Sequence, residues 1–457
     1  MKRLLLTLLC ATVPTSALAE RNIILFIGDG MDDHQITIAR NYLHGANGRL
    51  LLDSMALRSV AQVLTVDEAG KQIYVADSAN SATAIATGVV TSRGRIATTA
   101  GTDQPIPSLL DRVEASGMKT GLVSTASVTD ATPASFVAHI NVRTCENPET
   151  MPGIKRFGFQ LPACTQWQKA NGGPGSISEQ IAESDIDVIL GGGRKHFDLP
   201  AEGDTRTVRE LAESNGYTVI DDSKDLATAD GEKLLGLFSP STMPVRMRAE
   251  GDRSAQRPRA SWLNELHPYL GSVKLPDPVR CEYNPAFEGM PGIAEMTSAA
   301  LDRLQGEEGF FLMVEPASID KQSHERRPCG SISELEQLEE ALAVALKFAE
   351  EHPETLILVT ADHGHAAQLV PATSLFSAYG APVYTPGRLE RLMTDEGAIL
   401  AINYATNSFP YEEHTGTHVP LYANEVGVGR IPSMVTQPQI YEIMRDYLFG
   451  EDDGEEQ

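Results

Sequence analysis

The chain has 457 residues, a formal charge of −25 and a pI near 4.8, a balance that argues against nucleic acid or an anionic membrane surface as partner. Its length allows several domains or one large α/β domain with insertions. Beyond the first residues no apolar run is long enough to span a bilayer, so no membrane partner is expected.

Lys2 and Arg3, the apolar stretch from Leu4 to Val13 and then Ala17-Leu18-Ala19 fit a secretory signal over residues 1–19, cleaved before Glu20. This reading places the mature protein in the periplasm or the medium. Cys10 belongs to the apolar stretch, which leaves Cys145, Cys164, Cys281 and Cys329. An even number in an oxidising compartment favours two disulfides, and four cysteines allow three pairings. Sequence order suggests Cys145 with Cys164 and Cys281 with Cys329.

Asn22 to Ile27 (NIILFI) is a near-continuous apolar run ending in Gly28-Asp29-Gly30, the pattern of a central parallel strand that stops at a tight turn. Lys71 to Ala76 reads as a short strand, and Ser78 to Thr87 as a small-residue helix closed by Gly88. Thr120 to Ser124 is a further strand leading to Asp130-Ala131-Thr132-Pro133 and a helix toward His139 and Arg143. Ile186 to Leu190 is another, before Gly191-Gly192-Gly193. Residues 200–290, with scattered prolines and short apolar patches, read as surface elaboration.

Phe310 to Val314 is a buried strand, after which Glu315, Asp320 and His324 follow; Asp320 and His324 lie one helical turn apart if that stretch is helical. Ser333 to Glu350 is an amphipathic helix with Leu335, Leu338, Leu342 and Leu346 on one face and Ser333 with Glu336 as a capping box. Pro353 ends it, and Thr355 to Thr360 is a strand delivering Asp362 and His363. Residues 366–410 form an inserted subdomain, Glu412-Glu413-His414-Thr415-Gly416 returns to the site, and 450–457 is an acidic, disordered tail within a domain otherwise running over 20–449.

Strands alternating with helices indicate a doubly wound, mostly parallel sheet flanked by helices, in which ligands bind beyond the C-terminal strand ends. Asp29, Asp130, Glu315 and Asp362 all take such positions. Carboxylates with His324, His363 and His414 suit zinc, and an all-oxygen set suits magnesium. A serine hydroxyl is a weak nucleophile, and Ser78 has no histidine near it in sequence, so metal activation is the natural proposal. Ser78 also opens a helix, where an anion is favoured, and the planar fork of Arg143 matches two phosphate oxygens.

The ordered motifs IGDGM, VADSANSATAIATG, DATPASFVAH followed by VR, MVEPASIDKQSH, VTADHGH and EHTG resemble the alkaline phosphatase family, from Asn22 to about Gly427. The resemblance implies a crown-like character for the insert, a homodimer, and hydrolysis of small phosphate monoesters through a phosphoserine on Ser78. It implies one zinc on Asp320, His324 and His414, and a second on Asp29, Asp362 and His363. Magnesium would sit on Asp29, Thr132 and Glu315, and Arg143 would clamp phosphate, oriented by Asp77. Asp130 and Lys321 stand where some relatives carry histidines, which resembles the enterobacterial type; Asp130 would then act from beyond the magnesium ligands and Lys321 would reach phosphate through water.

A phosphodiesterase on the same scaffold and a non-catalytic exported protein that binds metal or phosphate are the competing readings. A sulfatase is excluded because no Cys or Ser is followed by x-Pro-x-Arg. His365 would point away from the site in an extended segment, His418 is not expected to be a ligand, and His34, His139 and His196 read as structural. The three glycines from Gly191 lack the Lys-Ser/Thr of a phosphate loop.

Overall fold

The computed structural model describes residues 21–156, 158–267, 270–373 and 387–450. The signal segment, the acidic tail after Gly450 and part of the 366–410 insert lie outside these residues.

A ten-stranded sheet forms the centre. Its strands in chain order are β1 (Asn22–Gly28), β2 (Leu57–Gln62), β3 (Lys119–Ser127), β4 (Val188–Gly192), β5 (Tyr217–Ile220), β6 (Lys233–Leu237), β7 (Phe310–Glu315), β8 (Thr355–Ala361), β9 (Val419–Ala423) and β10 (Met434–Thr436). Across the sheet the order is β10-β2-β9-β8-β1-β7-β3-β4-β6-β5. Neighbours pair in parallel except at β9, which runs antiparallel to both β8 and β2. The expected doubly wound, mostly parallel architecture is therefore present.

Strand β1 lies between β7 and β8, with Phe26 opposite Val314 on one side and Gly28 opposite Ala361 on the other. Every residue of β1, β7 and β8 is buried, as strands covered on both faces must be. The next strand in the chain, β2, lies on the β8 side of β1 and the one after it, β3, on the β7 side, so the order reverses at β1 and a site is expected in the crevice above it. On one face Phe311 of β7 stacks on Phe136, with ring centroids 5.7 Å apart. Phe136 belongs to a short helix, Ala131–Val137, that Asp130 caps from the end of β3.

The helices that build the site are α1 (Asp33–His44), α2 (Ser78–Thr87), α3 (Ala131–Val137), α4 (Ser318–His324), α5 (Pro328–Glu351) and α6 (Gln437–Phe449). Helix α2 consists of small, wholly buried residues and stops at Gly88, whose φ of 76° is the left-handed cap that glycine supplies without strain. Helix α5 turns Leu335, Leu338, Ala341, Leu342 and Ala345 into the core.

Three sequence expectations change. Helix α5 starts at Pro328, not Ser333, because proline is tolerated in the first turn. Ser333 is thus inside the helix, where its hydroxyl donates to the Gly330 carbonyl at 3.0 Å, and it forms no capping box. Lys71 to Ala76 contains only a two-residue strand, Gln72–Ile73, paired with Thr65–Val66. Residues 200–290 are more than surface elaboration: β5 and β6 complete one end of the sheet, their shortness having hidden them among loops.

Within the described part of 366–410 a separate antiparallel sheet forms from Gln368–Val370, Ile399–Tyr404 and Arg388–Met393. Bridges from Gln256 to Leu389 and from Val279 to Leu392 tie it to the 250–280 stretch.

Both disulfides follow sequence order, Cys145–Cys164 and Cys281–Cys329. The second joins residues 48 apart and fastens the first turn of α5 to the strand Cys281–Tyr283. Closing a loop of that length restricts the unfolded chain by about 4 kcal/mol in the chain-entropy view. The variant Cys281→Ser/Cys329→Ser should accordingly unfold at a lower guanidinium concentration. An unchanged midpoint would show that the bridge contributes nothing.

Candidate active site

Three adjacent strands deliver the central acids: Asp29 follows β1, Glu315 ends β7 and Asp362 follows β8. Asp362 Oδ1 accepts the backbone N–H groups of Gly30 (3.0 Å) and His363 (2.8 Å), and these bonds lock the β1 and β8 exits together. His363 Nε2 then lies 3.5 Å from Asp29 Oδ1, 3.3 Å from Asp362 Oδ2 and 3.2 Å from the Ser78 hydroxyl. One cluster able to hold a metal ion is therefore Asp29, Asp362 and His363, at the side of Ser78.

The second cluster is Asp320, His324, His365 and His414. Helix α4 sets Asp320 and His324 one turn apart, as the spacing implied. The Nε2 atoms of His324, His365 and His414 each lie 3.3 Å from Asp320 Oδ1, and those of His324 and His414 are 3.1 Å from each other. Hydrogen bonding tells the rings apart. His324 Nδ1 faces the Glu412 carbonyl at 2.5 Å and His414 Nδ1 the Ala76 carbonyl at 2.9 Å. Both rings thus carry their hydrogen on Nδ1 and turn a lone pair on Nε2 inward. His365 is the reverse: its Nδ1 accepts the Ala366 N–H at 2.8 Å, so the hydrogen sits on Nε2 and faces Asp320. The expectation that His365 points away is corrected, because the bend after β8 turns it into the cluster, where its buried Nε2 lies 3.3 Å from Asp320 Oδ1 without a hydrogen-bond partner. The two clusters abut, with the His363 and His414 rings stacked at a centroid separation of 3.6 Å.

The buried polar atoms decide whether ions fit. Asp29 Oδ1, Asp320 Oδ1, Asp362 Oδ2 and Thr132 Oγ1 are buried and make no hydrogen bond. Unpartnered buried acceptors are costly. Burial, with the neighbouring Asp320 and Asp362 charges, pushes the Asp29 carboxyl well above its ordinary value, and burial pushes Asp362 up to about 6 and Glu315 up to about 8. Cations among these atoms would supply the missing partners. Mixed carboxylate and imidazole donors in the two clusters suit zinc, and the oxygens of Asp29, Thr132 and Glu315 suit magnesium.

Ser78 is the first residue of α2, with Asp77 as the cap that accepts the Asn80 N–H at 3.1 Å. Asp77 also accepts the Gly94 N–H and meets Arg143 Nη1 at 3.3 Å. Arg143 Nη2 bonds Asp130 Oδ1 at 2.8 Å, and Lys321 Nζ is ion-paired with the other Asp130 oxygen. The guanidinium is thereby held between two carboxylates in a fixed plane. These contacts bring together Asp29, Asp77, Ser78, Asp130, Arg143, Asp320, Lys321, His324, Asp362, His363 and His414.

His34 and His418 are exposed, while His139 is held by the Ala97 carbonyl. The glycine run is filled by its own chain: a Cβ on Gly192 would meet the Ser241 carbonyl oxygen. Sequence reasoning missed Ser124, which donates to Glu315, and Arg326, which binds Glu412. It also missed Glu146, which accepts from Thr129 at 2.7 Å and faces His196 Nε2 at 3.1 Å. Glu412 alone had a signal, its place in the EEHTG run.

A serine at a helix start beside an arginine fork and two clusters of potential metal ligands belongs to phosphoryl-transfer chemistry, and comparison with known proteins narrows the class. The family model for alkaline phosphatase matches residues 20–426, and the chain belongs to the alkaline phosphatase family. It is therefore a phosphomonoesterase of a metal-dependent family. It is 41% identical to a streptomycin-6-phosphate phosphatase of Streptomyces griseus over 90% of this chain and 87% of that protein. It is 38% identical to an alkaline phosphatase of Escherichia coli (strain K12) over 94% of this chain and 86% of the relative. The solved alkaline phosphatase from the Antarctic bacterium TAB5 superposes with a TM-score of 0.65 at 22% identity, covering 94% of this chain and 98% of the other. That from Thermus thermophilus gives 0.66 at 20% identity, covering 95% and 92%. At such identities the structural likeness shows the fold alone.

Burial and the Asp130 charge raise the Glu146 carboxyl from 4.5 to about 7. A carboxyl raised by folding binds its proton more tightly in the native state, so its contribution to stability is complete below pH 4.5 and is lost as pH rises through about 7. Glu146→Gln should remove this loss, making the variant more stable than the parent at pH 8 by about 1–3 kcal/mol and similar to it at pH 4. Denaturation at the two pH values checks this; a variant weaker at pH 8 would contradict it.

Proposed function

We propose that the chain hydrolyses small phosphate monoesters through a phosphoserine intermediate on Ser78, with two zinc ions and one magnesium ion as cofactors. The observation that carries this reading is the meeting of two separate ligand clusters beside one serine hydroxyl, with an arginine fork on the same site. Asp320, His324 and His414 would hold one zinc, Asp29, Asp362 and His363 the other, and Asp29, Thr132 and Glu315 the magnesium, Asp29 serving both of its ions. When bound, such ions lower the pKa of attacking oxygens and neutralise charge on leaving oxygens.

The chain's own residues do the rest. Arg143 binds two phosphoryl oxygens, held to its plane by Asp77 and Asp130, and the start of α2 adds a field that favours the anion. Ser78 gives its hydroxyl proton to water as Oγ attacks phosphorus, forming the serine ester bond as the bond to the alcohol oxygen breaks; the alcohol leaves with a proton from water. Water then attacks the same phosphorus and breaks the serine ester; one of its protons returns to Ser78 Oγ and inorganic phosphate is released. Asp130, beyond the magnesium ligands, keeps Lys321 charged, and Lys321 reaches phosphate through water.

Export with cleavage before Glu20, a final place in the periplasm or the medium, and a homodimer belong to the same proposal. The signal-like N-terminus and the two disulfides support export; the dimer rests on the resemblance to the family. Among the described residues no helix is long and apolar enough to cross a membrane.

Ser78→Ala should lower phosphate release from a monoester by at least about a thousandfold while leaving metal content unchanged. Brief reaction of the parent with labelled substrate and an acid quench should leave label on Ser78. Undiminished turnover in the variant would end the proposal.

A further inference from the structure

Arg326 and Glu412 form a closed ion pair beneath the second cluster, with side chains 4% and 0% exposed. Glu412 Oε2 accepts from Arg326 Nε at 2.5 Å, and Glu412 Oε1 accepts the N–H groups of Thr406 (2.6 Å) and Asn407 (3.1 Å) together with the Thr406 hydroxyl. Arg326 spends its remaining donors on the same loop: Nη1 on the Pro410 carbonyl at 2.7 Å, and Nη2 on the Phe409 carbonyl at 2.8 Å. One guanidinium therefore fastens the segment that ends at His414.

The backbone completes the ring. The Glu412 N–H donates to the His324 carbonyl at 2.9 Å, and the Glu412 carbonyl faces His324 Nδ1. That carbonyl fixes the tautomer which leaves the His324 lone pair on Nε2. Arg326, two residues after His324, holds a φ of 59°, a left-handed conformation that a long side chain keeps only when its surroundings enforce it. Turning the Glu412 peptide would remove the partner of His324 and shift the backbone of His414 at once.

We infer that Arg326 and Glu412 are positioning residues that set how firmly the chain holds the cation of the Asp320, His324 and His414 cluster. This rests on the assignment of zinc to that cluster. Groups that orient imidazole ligands commonly change metal affinity by about 10–100-fold when removed.

The test uses the metal-loaded, full chain. Zinc per chain is measured by atomic emission, and the rate at which each zinc passes to a chelating dye is followed for the parent, Arg326→Met, Glu412→Gln and Arg326→Lys. Two zinc ions per parent chain are expected. In the Met and Gln variants one of them should leave about 10–100-fold faster while the other keeps its parental rate; Lys should fall between. Because removing one partner of a buried pair can unfold a protein, the double variant Arg326→Met/Glu412→Leu, which leaves no buried charge unpaired, is measured alongside. It should show the same selective loss. Parental rates for both ions, or equal acceleration of both as general loosening would give, overturns the inference and leaves the assignment of zinc intact. A parent that binds no zinc overturns both.

Discussion

Four carboxylates crowd into a buried crevice at the ends of three adjacent strands and one short helix, and the rest of the site depends on what neutralises them. Asp29, Glu315, Asp320 and Asp362 repel one another where little water reaches, and no lysine or arginine is bonded to any of them among the described residues. A fold could discharge such a cluster by protonating it. Placing imidazole lone pairs and a threonine hydroxyl around it instead suits it to divalent cations.

Chemistry on an anion then becomes possible for a chain with a charge of −25. Local field, not net charge, governs what binds in the crevice. Arg143 and Lys321, both half-buried, stay charged because Asp130 faces both and Asp77 faces Arg143. Asp130 is the hinge of this arrangement, bonded to both cations and capping α3, the helix that carries Thr132. The positive side of the site and the start of the helix that carries Thr132 are thereby positioned by one residue.

Legibility of the sequence followed the range of the interactions. Apolar runs such as Asn22 to Ile27 and Thr355 to Thr360 announce central strands because both faces are buried, and each ends in a residue of the site. Asp320 and His324 were readable as a pair because one helical turn separates them. Strands β5 and β6 were not, being only four and five residues long. The start of α5 was misplaced since Pro328 and Cys329 set it, whereas the Ser333 and Glu336 pattern mimics a cap. His365 escaped because a bend after β8 breaks the alternation of an extended segment. Arg326 and Glu412 escaped because their bond joins residues 86 apart and carries no local pattern. The ordered motifs from IGDGM to EHTG were the most specific signal in the sequence, and the family match over residues 20–426 agrees with them.

The dependence of the crevice on cations is tested most directly by stripping the protein of metal and titrating zinc and then magnesium while following thermal unfolding. The expected result is saturation at two zinc ions and one magnesium ion per chain, with folding stabilised by about 4 kcal/mol for a site at a thousandfold excess over its dissociation constant. A stripped protein that melts at the same temperature as the loaded one, and that takes up neither ion, would contradict the account.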